Sequence, residues 1–302
     1  MGKVRTLASY ILTGRIQAVG IISAALGLSL ILPPIGLLSS AAVALVTLRL
    51  GASEGLLVIG ISMLLSAFLG GWYVGGAVGF AVYGGFVWLP SWLVALVLRS
   101  RVDLALALES AVVLASLAVI GIYLSIDNPA GLWSASVEFM TQRLLENPPP
   151  ELNAEQIRRQ VDLSAHYWTG TAAAVALLGV GFSLFVARAW QAQLFNPGGF
   201  MQEYLALRAH RPMGYAMLAL LLTAATLDGQ IAELARNLLL IGGVFYMVAG
   251  VSVLNSLGQR FALHWRWQVL IMFGILAVMP PLLVLVGWVD TWLDIRRWRR
   301  AV

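Results

Sequence analysis

The sequence predicts an all-α fold: a polytopic transmembrane helical bundle with eight or nine membrane segments and a short helical outer loop. Three observations predict it. Of 302 residues, 60% are hydrophobic and only 11% are charged, where soluble proteins carry about 45–50% apolar and about 25% charged residues. The apolar residues run in stretches, several long enough to cross a hydrocarbon core of about 30 Å. The basic residues gather at the ends of those stretches, as the positive-inside bias requires. A water-soluble fold of this size could not hide so much apolar surface, so the excess faces lipid. One integral membrane domain, residues 1–302, accounts for the chain.

The apolar segments are 16–32, 35–48, 55–69, 77–98, 104–126, 167–187, 213–227, 237–257 and 267–287. The first follows Lys3, Arg5 and Arg15 and precedes Pro33-Pro34 without a small-residue cleavage site, so it reads as a retained membrane helix. Segments 35–48, 55–69 and 213–227 are short, since a helix rises about 1.5 Å per residue. They must recruit flanking residues, thin the bilayer or stop short of crossing.

Orientation follows from Lys and Arg. The N-terminus, Arg49, the Arg99/Arg101 turn, the 188–212 loop (Arg188, Arg208, Arg211) and the Arg260/Arg266 turn fall on one side, which the bias makes cytoplasmic. The loop 127–166 falls on the other. There Ser134 to Glu146 fits an amphipathic helix with Val137, Met140 and Leu144 on one face, stopped by Asn147 and Pro148-Pro149-Pro150. Asn153 with Gln156 three residues on has the form of a capping box, opening a second short helix through Ile157 and Val161. Nine crossings would put the basic tail, residues 288–302, outside. Eight crossings, with 267–287 kinked at Pro280-Pro281, keep both ends inside.

Composition removes whole classes of chemistry. There is no cysteine, which excludes disulfides, thiolate catalysis and cysteine-bound metals. The net charge of +5 lies on membrane-flanking turns, not on one long polar element, which argues against nucleic acid and for the lipid bilayer as partner. His166, His210 and His264 have no metal-ligand spacing, and no HExxH, GxSxG or P-loop pattern occurs. No metal, no cofactor and no enzymatic activity are expected.

Few residues remain to carry function. Gly71, Gly75 and Gly79 recur at i+4, so on one helix they would share a face that lets another helix approach closely. Gly20 and Ala24, with Ser23 and Gly27, repeat the small-xxx-small spacing. Helix packing or docking of another membrane subunit are both open. Glu109 lies about one and a half turns into its segment, within reach of the interface or of Arg99 or Arg101. A charge deeper in a membrane helix costs about 2.5–3.5 kcal/mol and is retained for function. Asn255 suits an interhelical hydrogen bond. Asn196-Pro197-Gly198-Gly199-Phe200 is a turn whose backbone N–H groups, with Arg188 and Arg208 nearby in sequence, could receive an anion. At the C-terminus Trp288, Asp290, Trp292, Asp294 and Arg296 suit a membrane-interface anchor, with Asp294 spaced to pair with Arg297.

Gly14-Arg15-x-Gln17-Ala18, the Asn196–Phe200 loop and the terminal Gly287-x-x-Asp290…Asp294-x-Arg296, in this order, resemble the YybS-like family of predicted multi-pass bacterial membrane proteins, a domain of unknown function. That family is distantly similar to the S-components of energy-coupling-factor transporters. The resemblance implies the bacterial inner (cytoplasmic) membrane and a substrate-binding subunit that docks, through small residues, to a transmembrane partner carrying ATPases. The extra helices and the long outer loop depart from the usual six-helix S-component. Two other readings stand beside it: a non-transporting membrane scaffold or assembly factor for envelope machinery, and an enzyme acting on lipid in which Glu109 and the loop arginines line one pocket.

Overall fold

The computed structural model describes residues 2–73, 75–149 and 152–296, and every regular element among them is helical. In order these are α1 (Gly2–Ile11), α2 (Arg15–Leu28), α3 (Gly36–Leu50), α4 (Ala52–Tyr73), α5 (Ala77–Arg101), α6 (Leu104–Ser125) and α7 (Ser134–Glu146). There follow α8 (Ala154–Phe195), α9 (Gly199–Leu205), α10 (Arg211–Thr226), α11 (Gly229–Arg260), α12 (Trp265–Val278) and α13 (Pro280–Leu293).

Each predicted apolar segment falls on helix, but the lengths separate them. Six stretches are long and apolar enough to cross a membrane: Pro33–Leu50, Ala52–Trp72, Ala77–Arg101, Leu104–Ser125, Ala154–Phe195 and Gly229–Arg260. Segments 35–48 and 55–69 reach that length by recruiting flanking residues. With 14 and 16 residues, α2 and α10 rise only about 21 and 24 Å. The last segment breaks at Met279 into α12 and α13, bent by 110°.

Contacts between helix ends bring the basic clusters together. Arg15 pairs with Glu54 at 2.5 Å. Arg49 lies over the Phe195 ring at 3.6 Å, and Arg99 donates to the Leu48 carbonyl at 2.5 Å. His210, before α10, is 3.5 Å from Asp103, before α6. These residues define one end of the bundle, the basic end. The other end carries α7.

At the centre is α3, buried without interruption from Ser39 to Leu48 against α2, α4, α5 and α8. Small residues at Ser39, Ser40, Ala41 and Ala42 allow the close approach. The wholly buried Trp88 indole donates to Ser39 Oγ at 2.8 Å, and that hydroxyl donates to the Ile22 carbonyl at 2.7 Å. The long α8 then joins this half to α6 and α11.

Two expectations need correction. Gly71, Gly75 and Gly79 share no helix face, because α4 ends at Tyr73 and α5 begins at Ala77. Gly75 takes φ +70 in the turn between them, a conformation that costs glycine little. The glycines serve a hairpin, with Gly71 close to Ala77. The outer loop also differs. The helix over Ser134–Glu146 and the capping box form, Asn153 and Gln156 exchanging bonds of 2.9 Å. The second helix is not short, however. No breaker follows Val161, so it runs on as the 42 residues of α8, about 63 Å at 1.5 Å per residue. On α7 the buried residue is Thr141, and Met140 is exposed.

Candidate functional site

The densest polar cluster is built where the segment between α9 and α10 meets the ends of α6 and α13. Asp103 caps α6, accepting from the Leu106 N–H at 2.9 Å. Glu109, on the same helix and buried, turns to His210 and not to Arg99 or Arg101. It accepts from the His210 backbone N–H at 2.7 Å and faces its Nδ1 at 3.0 Å. His210 sits between two carboxylates on opposite ring nitrogens. These carboxylates address the ring and converge on no common point, and among the described residues no group of His, Asp and Glu could hold a metal.

The terminal motif joins the same segment. Helix α13 stops at Leu293 because Asp294 turns left-handed, with φ 46. That end leaves the last carbonyls of the helix short of donors, the Asp290 carbonyl holding only a long bond from the Asp294 N–H at 3.3 Å. Arg208 supplies them: its guanidinium donates to the carbonyls of Asp290 at 2.8 Å and Thr291 at 3.2 Å, and lies 3.2 Å from Asp294. A cation there also complements the helix dipole. In return Arg296 donates to the carbonyls of Leu205 and Leu207 and pairs with Asp290 at 3.2 Å. Asp290 is 1% exposed and also accepts from the Ile295 N–H at 3.0 Å. Burial pushes the Arg296 guanidinium below its ordinary value, with Asp290 pulling it back up.

Neighbouring contacts fix the approach to this joint. Ser252 donates to the Tyr204 carbonyl at 2.6 Å, and Asn255 donates to the Tyr204 hydroxyl at 3.2 Å. Burial pushes that hydroxyl above the usual phenol range. The tryptophans expected to anchor at a membrane interface, Trp288 and Trp292, are half-buried against neighbouring helices. Trp288 donates to the Gly214 carbonyl at 3.2 Å, and Trp292 meets Tyr215 edge-on with ring centres 4.8 Å apart. The pairing of Asp294 with Arg297 lies outside the described residues.

The other expected ligand groups lie apart. Arg188 binds Glu203 through two nitrogens and Gln191 through the third, at 2.7 Å. Asn196, Gly198 and Gly199 make a tight turn, with Gly198 at φ 89; the Gly199 N–H donates to the Asn196 carbonyl at 3.0 Å. Gly20 and Ala24 lie on the exposed side of α2.

A second network at the opposite end escaped sequence reading. Asn237, wholly buried on α11, accepts from the Gly170 N–H at 2.5 Å. It donates to the His166 carbonyl at 2.7 Å and to the Tyr123 hydroxyl at 3.0 Å. Tyr123 in turn donates to Glu233 at 2.6 Å, and Glu233 is 2.6 Å from His166 Nδ1. Three helices, α6, α8 and α11, are tied at one point. The available signal was an asparagine opening an apolar run.

Between these two polar ends lies an apolar crevice of about 130 Å³, lined by Leu108, Leu177, Gly181, Phe182, Phe185 and Phe245 among others. No charged side chain lines it. Comparison with family models, with curated proteins and with solved structures found no match.

Proposed function

We propose that the chain is a multi-pass protein of the bacterial inner membrane, with its basic end and N-terminus in the cytoplasm, and that it works there as a non-transporting scaffold for envelope machinery. One observation carries the scaffold reading. The charged groups that sequence offered as ligand contacts are engaged with the chain itself: Arg188 with Glu203, Arg208 with Asp294, and Glu109 with His210. Charges so paired fasten elements together and leave little for a polar substrate to bind. The bend of α12 and α13 favours both termini on the cytoplasmic side; six helices are long enough to cross, and a count of eight further requires α2 and α10 to span a thinned bilayer.

The apolar crevice favours a second reading, a substrate-binding subunit of S-component type that takes an apolar ligand. Native mass spectrometry of protein released gently from its own membrane separates the two. The scaffold reading expects envelope proteins at fixed stoichiometry and no reproducible small-molecule adduct. A defined small molecule, or a complex with an ATPase-bearing transporter module, would reverse it. The lipid-enzyme reading needs Glu109 and the loop arginines in one pocket, and Arg188 is committed elsewhere.

A further inference from the structure

Among the described residues α12 is unlike the other apolar helices: it contains no buried residue. Only Gln268, Met272 and Ile275 are partly covered, while Phe273 is 69% and Val278 78% exposed. Its 14 residues rise about 21 Å, too little for a hydrocarbon core of about 30 Å. The bend of 110° exceeds a right angle, so α13 travels back toward the end from which α12 came. The two feet then meet: Arg260, before α12, donates to the Arg296 carbonyl at 3.0 Å, after α13.

A bend at hydrocarbon depth is normally costly, because it frees backbone N–H groups that lipid cannot satisfy. Here the donors at the apex are removed or used. Pro280 and Pro281 have none, the Met279 N–H bonds the Ile275 carbonyl at 2.8 Å, and the Leu282 N–H bonds the Met279 carbonyl at 3.0 Å. The feet have the opposite chemistry. Trp265 and Trp267 are 63% and 59% exposed, as indoles at a headgroup layer are. Arg266 lies over the Trp265 ring at 5.8 Å, and among the described residues neither Arg260 nor Arg266 has a carboxylate partner.

We propose that α12 and α13 form a re-entrant hairpin, with α12 immersed in a single leaflet and its foot, Arg260 at the end of α11 and Arg266 between Trp265 and Trp267, holding the phosphate of an anionic phospholipid. The apolar limb takes the acyl region and the two arginines take the headgroup charge. This inference rests on the membrane reading and is independent of the scaffold role.

The natural absence of cysteine makes single-cysteine labelling direct. Phe261→Cys, Phe273→Cys, Leu293→Cys and a control in α6, Leu117→Cys, are each reacted with a membrane-impermeant maleimide from either side of sealed vesicles. Phe261→Cys and Leu293→Cys are expected to label from the same side, with Phe273→Cys and Leu117→Cys protected from both. Labelling of Phe261→Cys and Leu293→Cys from opposite sides overturns the hairpin, as does free labelling of Phe273→Cys with Leu117→Cys still protected. Free labelling of Leu117→Cys would instead sink the membrane reading itself. For the lipid, the protein is taken from vesicles of phosphatidylcholine with phosphatidylglycerol and retained lipid is counted by native mass spectrometry. Arg260→Gln with Arg266→Gln is expected to weaken phosphatidylglycerol retention about fivefold for each arginine removed. Unchanged retention overturns the headgroup assignment; Arg266→Gln alone serves if the double variant does not fold.

Discussion

Arg208 and Arg296 exchange places. Each guanidinium leaves its own segment and binds backbone carbonyls of the other's, Arg208 those of Asp290 and Thr291, Arg296 those of Leu205 and Leu207. Asp290 and Asp294 balance the two positive charges. The end of α13 and the segment before α10 are thereby fastened as one unit.

Breaking that exchange from one side should be costly. Asp290→Asn leaves the buried Arg296 without its carboxylate and is expected to destabilise the protein by about 3 kcal/mol. Thermal unfolding in detergent measures it. Adding Arg296→Gln to Asp290→Asn should cost clearly less than the sum of the two single changes. Strict additivity would mean that the pair is not coupled.

Gly250 and Gly287 set how closely α11 and α13 approach. A Cβ on Gly250 would strike the Leu283 carbonyl, and one on Gly287 the Tyr246 carbonyl. Gly250→Ala is expected to cost about 2 kcal/mol through overpacking against backbone, whereas Gly20→Ala, with nothing within 4 Å of its Cβ, should leave the unfolding temperature unchanged. The same value for both variants would refute the close approach.

Asn237 is the hub of the opposite end. Asn237→Ala removes the bonds to the Gly170 N–H, the His166 carbonyl and the Tyr123 hydroxyl, at an expected cost of about 2 kcal/mol. Asn237→Asp keeps that acceptor but loses the donor to the His166 carbonyl and sets a second carboxylate near Glu233. It should therefore be no better than alanine. Near-wild-type stability for either variant in an unfolding titration would remove Asn237 from this role.

Glu109 makes two separable contacts with His210. Glu109→Gln still offers an acceptor to the His210 backbone N–H and is expected to cost about 1 kcal/mol. Glu109→Leu abandons both contacts and should cost clearly more. If the two variants unfold together, the carboxylate rather than the acceptor is what holds the segment.

Several local features were legible from residues alone. The spacing of apolar runs marked where the helices lie, since hydrophobic run length acts along a single stretch of chain. It did not mark how many reach membrane length: of nine segments, six lie on helices long enough to cross, two of them, 35–48 and 55–69, only with flanking residues. The Asn153/Gln156 capping box was equally readable, because both partners lie within four residues. Helix continuity was harder: the chain from Ala154 to Phe195 changes from polar to apolar without a breaker, and composition suggested a boundary where the backbone has none. The Gly71, Gly75 and Gly79 spacing suggested a helical face, but whether a glycine run continues a helix or turns it depends on neighbouring helices, here on the closeness of Phe80 to Gly70.

The sequence by itself determined that this is a bundle of apolar helices with basic residues on the turns that flank them, because composition, run length and charge position are properties of each segment taken alone. Only the tertiary structure decided which polar residues meet. Glu109 with His210 and Asn237 with Gly170 are separated by 101 and 67 residues, and Arg208 reaches Asp290 across 82. A buried polar group must find a partner, but its sequence neighbourhood does not name one. The helices had to be packed before each donor acquired its acceptor.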